Sequence, residues 1–327
     1  MSPAAAWQPC RCLNPLSTRA EPDFASGHFF LSAVPLNPAP MLRLANSALT
    51  VDLLDPADPT EQARQGARYC WGGYIWQVSD ARLGPLLAGP QWPQPDPTPH
   101  NGQGLPESFR HSDFHTQRPL MLRDGRGWVI GIGEVVRSAD AKFTITKPCT
   151  WHITPAGDAL EFCTAQSGDG YGTQLTRHIA LAGRTLTSST QLTNTGERPL
   201  PLHWFAHPFF ALNDRLITCD LPAGTTFAEN PGYALDPASR LTFKRRFESE
   251  FDGHFEQLRL PRGQSLRARV SHPLLTEIVF TTDFPPDFCP VWGNSNTWSI
   301  EPYLITELAP GATRTWSLRC EFGPALA

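Results

Sequence analysis

The sequence predicts an all-β protein, a large antiparallel β-sandwich, and three observations carry that expectation. Proline makes up 33 of 327 residues, about twice the usual share of roughly 5%, and each internal proline would remove a helix donor and clash with the preceding turn. Short runs of alternating apolar and polar residues recur along the chain, punctuated by Gly, Pro, Asn and Asp. No helical period is sustained beyond about two turns. At 36.2 kDa the chain can bury a large core. No shift in composition divides it, so one domain over residues 28–327 is expected behind a loose arm at 1–27, rich in Ala, Pro and Ser.

Order is expected to begin near His28. A hairpin follows over Met41 to Leu53: Leu42 and Leu44 alternate on one strand, Asn46-Ser47 turns the chain, and Leu49, Val51 and Leu53 alternate with Thr50 and Asp52. Thr60 to Ala67 suits a short helical turn. Tyr69 to Val78 reads as an aromatic strand interrupted by Gly72-Gly73, a pair that marks a bulge or a close backbone approach. Gly84 to Pro106 is the least regular stretch, dense in proline and glycine, and its Trp92, His100, Gly102 and Gly104 suit a lid or pocket wall.

Strands then come quickly: Trp128 to Val136, Lys142 to Lys147, Trp151 to Thr154, Leu160 to Ala165 and Ser189 to Asn194. Leu258 and Leu260 face Leu266, Ala268 and Val270 across Pro261-Arg262-Gly263-Gln264, as the arms of a hairpin would. In the last strand Trp316, Leu318, Cys320 and Phe322 share one face and Thr315, Ser317, Arg319 and Glu321 the other, the pattern of a sheet packed on one side and wet on the other.

Charge excludes some functions. The formal net charge is -4 and the 27 Lys and Arg are scattered, apart from Lys244-Arg245-Arg246, read as a solvated strand face. That gives no electrostatic footprint for nucleic acid. No apolar run approaches the ~20 residues of a membrane helix, and the N-terminus lacks the order of a signal peptide, so a cytoplasmic protein with no membrane partner is expected. Eight cysteines without a CxxC pair imply reduced thiols, and Cys10-Arg11-Cys12 has no neighbouring ligands for a metal.

Two stretches carry candidate chemistry. In His203-Trp204-Phe205-Ala206-His207-Pro208-Phe209-Phe210, an extended backbone puts His203, Phe205 and His207 on one face and Leu202, Trp204 and Ala206 on the other. Pro208 has no N–H, so the strand should end there with the His207 imidazole lining a cleft; the plainer alternative is a half-buried structural histidine. In Trp292-Gly293-Asn294-Ser295-Asn296-Thr297-Trp298-Ser299-Ile300-Glu301-Pro302-Tyr303, Glu301 sits among aromatic residues. Desolvation there raises a carboxyl pKa, which a general base working near neutral pH requires; the alternative is a rim glutamate. Aromatic walls with His, Asp, Gln and Glu partners suit a sugar.

Leu192-Thr193-Asn194-Thr195-Gly196-Glu197-Arg198-Pro199-Leu200-Pro201, His207-Pro208-Phe209-Phe210, Phe251-Asp252-Gly253-His254-Phe255, Ile300-Glu301-Pro302 and Leu308-Ala309-Pro310-Gly311-Ala312, in that order, resemble the aldose 1-epimerase (galactose mutarotase-like) family. The resemblance spans about Met41 to Phe322. It implies a large antiparallel β-sandwich and an isomerase that interconverts anomers of an aldose or aldose phosphate without a cofactor. His207 would be the general acid at the ring oxygen, Glu301 the general base at the anomeric hydroxyl, and Asp252 a ligand of sugar hydroxyls, with His203 and Gln103 as further substrate contacts. The chain departs from the family pattern where an Asn-Arg pair and a His-Gly step are usual: Gly84 to Pro90 holds no arginine, Gln103-Gly104 stands for His-Gly, and His100 and His111 are out of register. Glutamine hydrogen-bonds but carries no proton. The expected partner is a small sugar or sugar phosphate, bound by a monomer or weak homodimer. A non-catalytic sugar-binding protein on the same fold, and a hydrolase pairing Glu301 with Asp252 or Glu107, are the alternatives.

Overall fold

The structure, a computed structural model, describes residues 42–94, 97–138 and 142–326. The expected arm at 1–27, the onset of order near His28, and Cys10 and Cys12 lie outside the described residues. Strands dominate. One helix, Pro59–Gln65, is described; it starts on Asp58, whose side chain accepts the Thr60 N–H, and has proline in its first turn.

The backbone of the fold is a ten-stranded antiparallel sheet. Its order runs His152–Pro155, Ala159–Gly168, Tyr171–Ala182, Thr185–Asn194, Thr313–Phe322, Ile278–Thr282, Arg267–Val270, Thr218–Asp220, Arg240–Phe243, Tyr233–Leu235. Thr185–Asn194 alternates buried and half-buried residues along its whole length, and Thr313–Phe322 buries Trp316, Leu318, Cys320 and Phe322 as its period requires. Against this sheet lie smaller ones. Tyr303–Leu308, Leu200–Ala206 and Glu107–Phe109 form one, and Phe210–Ala211, Thr297–Ile300, Cys289–Gly293 and His254–Leu258 another. The first hairpin pairs Leu42 with Leu53 as expected, and Asn46 Oδ1 caps its turn by accepting from Ala48 and Leu49.

Aromatic side chains join the layers: Trp204 meets Trp316 at 5.3 Å and Phe210 meets Phe280 at 6.1 Å, edge to face. One cluster of buried side chains runs from Leu44 to Phe322. Within it lies a fully buried charge pair. The Arg177 guanidinium contacts the Glu107 carboxylate and donates to Gly72 O at 2.6 Å and Ser188 Oγ at 3.0 Å. Glu107 also accepts from Ser188 Oγ at 2.6 Å and Trp204 Nε1 at 3.2 Å. A desolvated carboxylate is tolerated because its oxygens are paired this way. The network pins the ten-stranded sheet to Glu107–Phe109, the strand that leads into the site.

Three expectations are corrected. Trp128 to Val136 is two strands, Arg126–Val129 and Gly133–Arg137, folded back on each other; Gly131 and Gly133 adopt positive φ at the reversal. Tyr69 to Tyr74 is a turn, with the strand confined to Ile75–Asp80. Gly72 packs so close to the Trp151 ring that a Cβ would meet it at 2.2 Å. Leu258 and Leu266 are not arms of a hairpin: His254–Leu258 pairs with Cys289–Gly293, while Arg267–Val270 pairs in the ten-stranded sheet. The Pro261 to Gln264 turn carries the chain between layers, which local alternation does not reveal. Lys244, Arg245 and Arg246 follow the strand Arg240–Phe243, and each meets its own carboxylate, on Glu229, Asp252 and Asp214.

Candidate active site

The strand Leu200–Ala206 carries His207 to a cavity of about 840 Å³. The expected alternation holds at its end: Trp204 is buried in the core, and Phe205 and His207 line the cavity. The His207 N–H still donates to Pro106 O at 2.9 Å, after which Pro208 has no N–H to continue the pairing. On the neighbouring sheet, Thr297–Ile300 alternates too. Trp298 and Ile300 belong to the core cluster; Ser299 and Glu301 meet His207.

The two candidate groups touch. His207 Nε2 lies 3.3 Å from Glu301 Oε1, and His207 Nδ1 lies 3.0 Å from Ser299 Oγ. The imidazole is stacked on Phe209 at 4.3 Å and meets the Tyr69 ring edge-on at 6.1 Å. Ser299 and the flanking rings fix its orientation. Burial pushes the Glu301 carboxyl up to about 8, against the opposing pull of Arg68 and Arg110. Burial, aided by the Arg68 charge, holds His207 well below its usual 6.5. Both shifts favour neutral forms, so at neutral pH the pair holds one proton between them, weighted to Glu301. Side by side, the two groups suit two oxygens bonded to one carbon, one giving up a proton and the other receiving one.

The shift has a consequence for stability. The folded state retains the Glu301 proton from its ordinary 4.5 up to about 8, so this group's favourable contribution is complete below pH 4.5 and is lost as pH rises towards 8. Glu301→Gln cannot ionise. Its melting temperature relative to wild type is therefore expected to be higher at pH 8.5 than at pH 5, by an amount on the order of a few kcal/mol in stability; a pH-independent difference in thermal scans would refute the buried ionisation.

Arg68 and Arg110 also line the cavity. Ser108 Oγ donates to the Arg68 carbonyl at 2.7 Å, and Arg110 stands two residues further along the same edge. Arg110 Nε donates to Ser112 O at 2.9 Å, and its guanidinium lies 5.2 Å over Phe114. Neither arginine forms an ion pair among the described residues. His100 and His111 line the wall as well; His111, 4.0 Å from the Phe143 ring, is pushed down to about 4, chiefly by burial, then by Arg110 and Arg137.

The other expected contacts fall elsewhere. Gln103 is buried outside the cavity, its N–H donating to Tyr74 Oη and its Nε2 reaching Trp76 O at 3.4 Å. Gly104 beside it has φ of 73°, and a Cβ there would meet Ile75 O at 2.3 Å, so this step packs backbone against backbone. His203 leaves the cavity wall for Asp113, at 3.6 Å. Asp252 is held by Arg245 through both carboxylate oxygens, at 2.6 and 2.7 Å, and accepts the Glu248 N–H, which lowers its pKa to about 2. It clasps the loop that brings Glu250 and Phe251 to the cavity rather than facing the cavity itself. Asp252→Ala is accordingly expected to act on KM more than on kcat in any assay the site supports. Glu107 is committed to Arg177, so neither partner of the hydrolase reading reaches Glu301.

Sequence reasoning missed Arg68, Arg110 and Ser299. Ser299 was open to it, since the period of two that places Glu301 places Ser299 beside it. The arginines were not, because they reach the cavity through a contact between segments forty residues apart.

With this geometry in place, comparison with solved structures identifies the fold as galactose mutarotase-like. A protein of Synechocystis sp. PCC 6803 aligns over 90% of this chain and 99% of its own, with a TM-score of 0.54 and 14% identity. A galactose mutarotase related enzyme of Lactobacillus acidophilus aligns over 86% and 97%, at 0.55 and 12%. A galactose mutarotase-like protein of Lactobacillus casei ATCC 334 aligns over 86% and 100%, at 0.55 and 13%. No family model and no curated protein matches the sequence. No helix among the described residues is long and apolar enough to cross a membrane.

Proposed function

We propose that this protein is a sugar isomerase of the aldose 1-epimerase type, opening and reclosing the ring of an aldose or aldose phosphate with His207 and Glu301. The observation that supports this best is the 3.3 Å contact between two buried groups that share one proton. Mutarotation needs no net proton: one leaves the anomeric hydroxyl as another arrives at the ring oxygen. The proton resting on Glu301 first passes along their contact to His207; Glu301 then takes the first and His207 supplies the second, which returns the pair to its resting state. Ring closure on the other face of the aldehyde gives the other anomer, by the same two transfers reversed.

Ser299 orients the imidazole through Nδ1, which keeps Nε2 against Glu301 and turned to the cavity where the sugar binds. Arg68 and Arg110 line the same cavity and offer donors to hydroxyl or phosphate oxygens. Aromatic rings around them take the apolar face of the sugar. A solved structure of the same fold is described as a galactose mutarotase related enzyme, which supports the same reading by analogy of fold alone.

The test is anomer exchange. Glucose, galactose, mannose and their 6-phosphates are followed by two-dimensional NMR exchange spectroscopy with the wild-type protein. At least one is expected to exchange faster than in buffer alone. Binding without acceleration of any would replace this reading by the non-catalytic one.

A further inference from the structure

In the proposed mechanism ring opening starts only after the proton on Glu301 has moved to His207. Before that move Glu301 is a neutral acid and His207 a neutral base, 3.3 Å apart on the wall of one cavity. The tautomer follows from the contacts. With the Glu301 hydroxyl donating to Nε2, the imidazole hydrogen is on Nδ1 and donates to Ser299 Oγ at 3.0 Å. Nε2 is then a bare nitrogen beside an acidic O–H, a pairing with a use of its own.

The open-chain aldose made by ring opening matches it. Its aldehyde oxygen accepts a hydrogen bond, and the carbonyl acidifies the hydrogen on the next carbon. Standard bond lengths put that oxygen and that carbon ~2.4 Å apart, so an acid on the one and a base on the other must stand side by side, as these two groups do. The cavity supports the charge that develops. Arg68 and Arg110 both line it and both act on the Glu301 carboxyl, where a guanidinium stabilises negative charge gathering on the aldehyde oxygen as the C–H bond breaks. His207 and Glu301 are only 4% and 6% exposed, so little water competes for either.

Resting on the reading of the cavity as a ring-opening site, we infer that the same pair enolises the open aldose and converts it to the 2-ketose. His207 Nε2 removes the hydrogen on the second carbon as a proton, the C–H electrons form a double bond between the first and second carbons, and the carbonyl π electrons take the Glu301 proton on oxygen. The product is a neutral cis-enediol. In the second half the Glu301 carboxylate takes the proton of the 2-hydroxyl, the ketone forms at the second carbon, and the first carbon receives the proton held by His207. Glu301 ends protonated and His207 neutral, and no oxidant or reductant is consumed. One imidazole serves both carbons. The proton therefore leaves and returns on one face of the enediol, so a ketose is expected and the epimer at the second carbon is not.

The test follows glucose, galactose, mannose and their 6-phosphates by NMR in heavy water, with wild type, His207→Ala and Glu301→Gln, recording ketose, 2-epimer, the hydrogen on the second carbon and the anomer exchange rate together. Circular dichroism checks that the variants are folded, and the wild-type spectra alone suffice to reject the inference. At least one aldose is expected to give ketose, with deuterium entering at the second carbon, about 10²-fold faster or more than with either variant. Absence of both signals in wild type, equal rates in the two variants, or the 2-epimer in place of ketose would overturn it. Accelerated anomer exchange without ketose or deuterium would remove this inference and leave the epimerase reading standing. Ketose without accelerated exchange, the open form being supplied by the uncatalysed reaction, would do the reverse; neither signal would remove both.

Discussion

Glu301→Gln and His207→Ala are each expected to lower kcat for anomer exchange by about 10²–10⁴-fold, and the double variant should be little worse than either single one. The non-additivity follows from the shared proton. When either partner is gone, the remaining group can neither deliver nor recover a proton in step with the sugar, so the second loss removes nothing further. KM should move little, because binding is assigned to Arg68, Arg110 and the aromatic walls. Ser299→Ala should cost less than either, since it frees the ring without removing Nε2. Steady-state polarimetry on wild type and the four variants reads all of this; additive losses would separate the two residues' roles.

The largest stability effect is expected far from the cavity mouth, at Arg177→Met. The change leaves Glu107 desolvated without its cation, a situation that costs about 3–5 kcal/mol and lowers the melting temperature by on the order of 10 °C. Adding Glu107→Gln should restore part of the loss, because the amide oxygen can still accept from Trp204 Nε1 while the amide NH2 donates to Ser188 Oγ, and no buried charge remains. Thermal melts of the single and double variants form the cycle. A double variant less stable than Arg177→Met would contradict the account of that network.

Much of the fold was legible because the sheets write their period into the sequence. The last strand and the second arm of the first hairpin place every apolar residue on the buried side, and a period of two is local information. What failed was pairing across distance. Leu258 and Leu266 look like partners because a good turn separates them, yet each finds better partners in a different layer. The site divides in the same way. His207 and Glu301 announce themselves through proline-terminated aromatic strands, and the structure brings them into contact. Asp252 and Gln103 were named from a motif's position, and position does not tell which way a side chain turns: the Arg245 guanidinium claims one, and the backbone crowding at Gly104 draws the other behind the wall. The arginines at the cavity arrive from a turn and a strand end whose approach depends on the buried Glu107 network, which no local pattern encodes.

In the proposed isomerase, one proton shared by His207 and Glu301 opens the sugar ring. The most direct measurement of this is the rate of anomer exchange as a function of pH, by NMR exchange spectroscopy, for whichever aldose the wild type accelerates. Since Glu301 loses its proton near pH 8, and the pair is empty above that, the rate should be sustained through neutrality and fall tenfold per pH unit beyond about 8, with no comparable activity in Glu301→Gln at any pH. A rate flat across pH 6 to 10, or retained in Glu301→Gln, would contradict it.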